Sequence, residues 1–259
     1  MPDLCLTSES AYQTSGPPAP WLGRRCPTAV FYAKILGIVY RASMLAKKGL
    51  YDDQCWIKSS LKTIRALELV GGRFEVRGLE NLRDLQSPGV FIGNHMSILE
   101  TFVLPCVIQP IRDVTFVVKE SLITYPFFGH VMRSRNPVIV GRENPREDLK
   151  LVLEEGRKRL AANISVVIFP QTTRSADFDP DKFNTLGIKL AKRCNMPAVP
   201  FALKTDAWGL GKWIKDFGPI RPAQSVHIHF GEPMRIQGSG KEEHNIIVKF
   251  IQKNLAAWK

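Results

Sequence analysis

Residues 93–100 read GNHMSILE. A neutral His95 imidazole can take a proton from an alcohol. Glu100 can fix the tautomer of that ring and stabilise the charge it gains. No serine or cysteine nucleophile is needed if the alcohol belongs to a substrate. On a regular helix, residues five apart sit about 140° from each other. The pair therefore meets only if His95 lies in a loop and Glu100 in the first turn of the helix after it. Ser97-x-x-Glu100 has capping-box spacing, which starts a helix at Ser97 and leaves His95 outside. The same box gives Glu100 a structural task, reaching back to the Ser97 amide. Spacing alone leaves both readings open.

A second set lies in FPQTTRS, residues 169–175. Arg174 offers a forked guanidinium that suits a phosphate, with the Thr173 and Ser175 hydroxyls beside it. Arg142 in VGREN and Lys119 in VVKE also follow apolar runs and add positive charge. Asn94 precedes the histidine. Viewed one at a time, each is equally compatible with an ordinary polar turn. Residues 121–132, rich in aromatic and aliphatic side chains, suit the wall of an apolar channel or plain core. His227 and His229 share one face of a strand, but no third residue at metal-ligand spacing joins them. The five cysteines are scattered without a CxxC, which argues against a disulfide framework or structural zinc and for a reducing compartment.

These residues need elements to position them. VFIG (90–93), VTFVV (114–118), PVIV (137–140), SVVIFP (165–170), PAVPFAL (197–203) and VHIHF (226–230) read as short strands. Helical stretches are expected at about 144–161, 182–194 and 241–258. Strands alternating with helices predict an α/β domain over 73–259, with a mixed, largely parallel sheet flanked by helices. The His95 and Arg174 stretches each follow a strand, where such sheets build sites.

Ahead of that domain the texture differs. Residues 1–27 are expected as a flexible leader. They open without a basic or apolar segment of signal-peptide type, so no secretory signal is expected. Residues 28–47 are apolar apart from Lys34, Arg41 and Lys47. A span needs about 20 mostly apolar residues. With two internal charges, a helix lying in the membrane interface fits better. Residues 52–70 predict a second, amphipathic helix with Lys58, Lys62 and Arg65 on one face, capped by Asp52 or Asp53 and ended by Gly71-Gly72. Residues 28–72 are thus expected to form a two-helix membrane-docking motif. The net charge of +12 suits anionic headgroups or phosphorylated substrates. It lacks the aromatic-basic interleaving or motif of a nucleic-acid binder.

In this order, the blocks resemble the glycerophospholipid acyltransferases, nearest to those acting on lysophosphatidic acid. Asn94, His95 and Glu100 stand at the N-H-x4-D block. Arg142, FPQTTRS and Val199-Pro200 stand at the next three. The likeness runs over roughly residues 28–235, including RFEVRGLENL and HFGEP. It implies that His95 and Glu100 are catalytic. Arg174, Thr173, Ser175, Arg142, Lys119 and Asn94 would bind substrate. It also implies an acyl-CoA or acyl-acyl carrier protein donor, no metal or redox cofactor, and a peripheral place on the cytoplasmic face of a membrane. Another lysolipid, glycerol-3-phosphate or an ornithine-lipid acceptor is the neighbouring reading, and a catalytically weak lipid-binding relative a further one. Two departures mark this chain: Glu100 where aspartate is usual, and Gln171-Thr172 where Glu-Gly is usual.

Overall fold

The computed structural model describes residues 11–17, 19–141, 143–171, 173–212 and 214–259. In chain order the elements are β1 (Ala11–Gln13), α1 (Trp21–Arg25), α2 (Pro27–Lys47), α3 (Asp53–Glu68), β2 (Phe74–Arg77), α4 (Glu80–Arg83), β3 (Val90–Gly93), α5 (Leu99–Ile108), β4 (Val114–Lys119), α6 (Glu120–Ile123) and α7 (Phe128–Ser134). They continue with β5 (Val138–Val140), α8 (Pro145–Ala161), β6 (Ser165–Ile168), a 3-10 turn (Pro180–Lys182), α9 (Leu186–Cys194), β7 (Ala198–Lys204), β8 (Val226–Phe230) and α10 (Lys241–Ala257).

One sheet orders its strands β1-β2-β8-β7-β3-β6-β4-β5. Every pairing is parallel except β1 with β2 and β7 with β8. The central strands read as apolar runs because both faces are covered. Phe91, Val167, Val199 and Phe201 point into one core, which α2, α3, α5 and α7 share. Val90, Ile92, Val166, Ile168 and Ala198 point into the other, closed by α8, α9 and α10. Gly93 ends β3 where a Cβ would enter the Phe201 ring. Pro200 lies inside β7, where a missing donor would ordinarily cost a ladder bond. Its carbonyl accepts from Gly231 at 2.8 Å, and the β7–β8 register begins one residue later, at Phe201. The proline nitrogen therefore faces past the end of β8.

The helix signals hold. Asp52 accepts from the Cys55 amide at 2.7 Å. Gly71, at φ 98°, turns the chain out of α3, and Gly72 N–H closes on Leu67 at 2.9 Å. The expected leader departs from the reading. Residues 11–13 form an edge strand on β2, and the Tyr12 and Thr14 hydroxyls donate to Glu68 at 2.7 and 2.6 Å. A strand of three residues is too short to show a period, and what fixes it is a carboxylate over 50 residues away. Residues 1–10 of that leader lie outside the described residues.

Helix α2 is not free of the domain. Phe31 and Ile35 are buried, and Phe31 packs edge-on to Trp208 at 4.9 Å. The Tyr32 hydroxyl donates to Gly218 and accepts from the Trp208 indole. The opposite side of the helix leaves Leu36 and Tyr40 exposed. It is the one described helix long and apolar enough to cross a membrane by length and composition.

Candidate active site

The parallel strands β3, β6 and β4 deliver three loops to one end of the sheet. His95 comes from the first, Phe169 to Ser175 from the second, and Lys119 closes the third strand. Two backbone bonds lock the first loop to the second. The His95 amide donates to Gln171 Oε1 at 2.7 Å, and the His95 carbonyl accepts from the Ser175 amide at 3.1 Å. Phe169 stacks on the imidazole with ring centres 4.3 Å apart and planes 14° from parallel. The ring is thus fixed in position and in plane.

Its Nδ1 faces Glu100 Oε2 at 3.6 Å. Glu100 is fully buried and well supplied with donors. Oε1 accepts from the Met96 amide at 2.6 Å, the Ser97 amide at 2.9 Å and the Thr205 hydroxyl at 3.0 Å. Oε2 also meets the Ser97 amide at 3.1 Å. The expected capping box is half made. Glu100 reaches back as predicted, but Ser97 Oγ accepts from Leu99 at 3.1 Å and bonds with Thr205 at 3.1 Å. The helix accordingly begins at Leu99, two residues later than expected. Capping and facing therefore coexist: the first turn holds the carboxylate by both oxygens, and Oε2 faces the imidazole Nδ1, which makes no hydrogen bond among the described residues.

Asn94 does not join the substrate side. Its amide donates to the Leu203 carbonyl and accepts from the Leu203 amide, both at 2.8 Å. It clamps the histidine loop to β7, so its expected role as a ligand is corrected to that of a brace. Ser175 Oγ accepts from the Asp177 amide at 3.2 Å. Arg142 lies outside the described residues.

His95 stands at the polar end of a cavity of about 480 Å³. Lys119, Thr173, Arg174, Lys215 and Asp216 share that end. Tyr51, Trp56, Phe116 and Met132 line it as well, with the Ser59, Ser60, Thr101 and Ser121 side chains among a mostly apolar set. Burial pushes the Tyr51 hydroxyl up to about 12, so it stays neutral against that apolar space. Arg174 forms an ion pair with Asp216. Four contributors escaped the sequence reading: Phe169, Thr205, Lys215 and Asp216. Phe169 sat inside a recognised block. Thr205 and Asp216 carry no local signal, because sequence-distant segments bring them in.

The matched family is Acyltransferase, over residues 73–204. A 1-acyl-sn-glycerol-3-phosphate acyltransferase of Pseudomonas aeruginosa is 31% identical over 188 residues, covering 72% of this chain and 68% of that protein. The chain belongs to the Acyltransferase family. A coconut protein of the same name is 28% identical over 62% of the chain, which spans about half of that relative (51%). The fold of this acyltransferase is also that of the 1-acyl-sn-glycerophosphate acyltransferase of Thermotoga maritima, with a TM-score of 0.66. There the identity is 17%, covering 89% of this chain and 93% of that one.

The family frame gives meaning to Gln171. A carboxylate is usual there, but what His95 uses is an acceptor oxygen, which the amide supplies without charge. Gln171→Leu removes it and leaves a buried N–H unpaired, at a cost of about 1–3 kcal/mol. A loosened imidazole should lower turnover by about tenfold to a hundredfold. Gln171→Glu keeps the acceptor and should keep most activity. Initial rates of the two variants, taken with their melting curves, check this. Equal rates for the leucine variant and wild type would mean that the clamp does not matter.

Proposed function

We propose that the protein is a membrane-associated O-acyltransferase that moves a fatty acyl group from acyl-CoA or acyl-acyl carrier protein to the sn-2 hydroxyl of lysophosphatidic acid, giving phosphatidic acid. The observation that carries this reading is the mixed lining of the cavity: an imidazole and three cations, and beside them a broad set of apolar side chains that includes Met132. A phosphorylated, hydroxyl-bearing acceptor suits the first, and an acyl chain the second. The Pseudomonas and coconut relatives bear the name of that activity.

In the reaction, His95 Nε2 takes the proton of the acceptor hydroxyl as its oxygen attacks the thioester carbonyl. Glu100 holds Nδ1–H and offsets the imidazolium charge. Collapse of the tetrahedral intermediate breaks the C–S bond, and His95 returns the proton to the leaving thiolate. Arg174 binds the acceptor phosphate, with Thr173 and Lys119 beside it. Arg142 and Ser175 complete the proposed substrate-contact set.

The site works at a membrane surface. Leu36, Tyr40, Tyr125, Phe127 and Phe217 edge a second, apolar hollow of about 460 Å³, and each is at least two-fifths exposed. Phe127 holds a positive φ of 62° while its ring stands outward. A patch of this kind fits an interface with lipid. Because one side of α2 is packed on the domain, the helix lies along the cytoplasmic leaflet in this reading and does not span it. Residues 28–72 act as the docking motif and 73–259 as the catalytic domain.

The experiment is transfer of labelled acyl groups from acyl-CoA of graded chain length to lysophosphatidic acid in mixed micelles. Wild type should form phosphatidic acid. Met132→Ala should shift the preference toward longer chains by roughly two methylenes, each worth about 0.8 kcal/mol, at a stability cost of about 2–5 kcal/mol. Intact vesicle binding with no transfer to any lysolipid would favour the lipid-binding relative. An unmoved chain profile would remove the assignment of the apolar lining to the acyl chain.

A further inference from the structure

We propose that Asp216 sets the headgroup selectivity of the acceptor site, as a resident carboxylate that a phosphomonoester displaces from Arg174 and a phosphodiester does not. This rests on the reading that Arg174 receives the acceptor phosphate.

The guanidinium on which that reading depends is already engaged. Arg174 pairs with Asp216, and their side chains are only 19% and 13% exposed. Both line the cavity that His95 lines. Asp216 Oδ1 is buried and makes no aligned hydrogen bond among the described residues, so its contact with the guanidinium is one of charge. A contact of that kind exchanges readily for a better anion.

The carboxylate is delivered by a built loop. Its base is tied by Gly209 N–H to Pro219 at 3.0 Å and Arg221 N–H to Ala207 at 2.8 Å. The Tyr32 hydroxyl holds Gly218 at 2.8 Å, and Thr28 Oγ1 accepts from Ile220 at 3.1 Å. The tip closes through Gly211 N–H to Lys215 at 3.2 Å and Phe217 N–H to Ile214 at 3.0 Å. Lys215 and Ile214 are exposed, so the tip has room to move while the base stays on α2.

Charge decides what can replace the carboxylate. With His95 neutral, the charged side chains lining the cavity are Lys119, Arg174, Lys215 and Asp216. Three cations less the Asp216 carboxylate, and less the buried Glu100 carboxylate behind His95, leave a charge of +1. A phosphomonoester carries about −1.5 to −2 at pH 7 and three acceptor oxygens, so it outbids a monoanionic carboxylate for the guanidinium. A phosphodiester carries a single negative charge and competes with Asp216 on equal terms. Removing the Asp216 carboxylate raises the site by one positive charge, and the diester then meets an unoccupied guanidinium.

The test compares a lysophosphatidic acid with its phosphate methyl ester, equal in acyl chain, in mixed micelles at fixed ionic strength. The readout is the ratio of kcat/KM for monoester over diester. Asp216→Asn and Asp216→Ala should each cut that ratio at least tenfold, chiefly through a lower KM for the diester. Asp216→Glu should keep the wild-type ratio. Both neutral variants within twofold of the wild-type ratio would overturn the proposal, as would equal losses on both acceptors, which mean a merely structural loop. Arg174→Ala separates this from the parent reading. If its KM for the monoester rises at least tenfold while the Asp216 variants leave the ratio alone, the phosphate site stands and the selectivity role falls. If Arg174→Ala leaves that KM unchanged, both fall.

Discussion

His95→Ala lowers kcat for acyl transfer to lysophosphatidic acid by about 10²–10⁴-fold, the range for removing a positioned general base. The size follows from what replaces the imidazole. Bulk water has no fixed position at the acceptor hydroxyl, whereas the native ring is set by the Phe169 stack on one side and Glu100 on its edge. KM for the acceptor should stay within about threefold, because Arg174 and the apolar lining are untouched and uniform binding is separate from the chemical step. The fold should survive as well. The bonds that tie residue 95 to Gln171 and Ser175 use its backbone amide and carbonyl. What is lost is the ring stack, about 0.5–1.5 kcal/mol. Initial-rate kinetics with labelled acyl-CoA, alongside a melting curve, separate the outcomes. Full activity in a folded His95→Ala protein would remove the imidazole from the mechanism.

Parts of this site were open to the sequence because they are local. The β3 and β6 runs are continuous apolar stretches because both sheet faces are covered, so the loops after them were locatable. Asp52 and Gly71-Gly72 gave the limits of α3 by local chemistry alone. Ser97-x-x-Glu100 gave the geometry that lets a pair five apart meet, though it misplaced the helix start by two residues. The rest depends on contacts at long range. Thr205 bonds to a carboxylate 105 residues earlier, and Asp216 pairs with Arg174 from a loop after the next strand. No spacing rule reports either. Asn94 was misread for the same reason: its two amide atoms are spent on Leu203, 109 residues away. In the sequence Gln171 shows only as a departure from the usual carboxylate, whereas the structure shows its amide oxygen bonded to the His95 amide.

Glu100→Gln should cost nearly as much as losing the histidine, by a route the hydrogen bonds dictate. The amide is close to isosteric, so the side chain stays buried at the start of α5. Its oxygen takes the place where three donors converge, those of Met96, Ser97 and Thr205. Flipping it would set an NH2 against all three. The NH2 is therefore driven to the Oε2 position and points at His95 Nδ1, which native Glu100 faces at 3.6 Å. A donor there requires Nδ1 to be the acceptor, so the ring proton moves to Nε2. That is the nitrogen that must be bare to take the acceptor's proton. The wrong tautomer, rather than a broken fold, then limits the rate. The loss expected in kcat is about 10²–10⁴-fold, as for a general base put out of action, with acceptor KM little changed. Imidazole nitrogen shifts by NMR read the tautomer directly. A protein with its proton on Nδ1 and a low rate would mean that Glu100 acts by some means other than orienting the ring. A protein with its proton on Nε2 and a normal rate would mean that His95 is not the base.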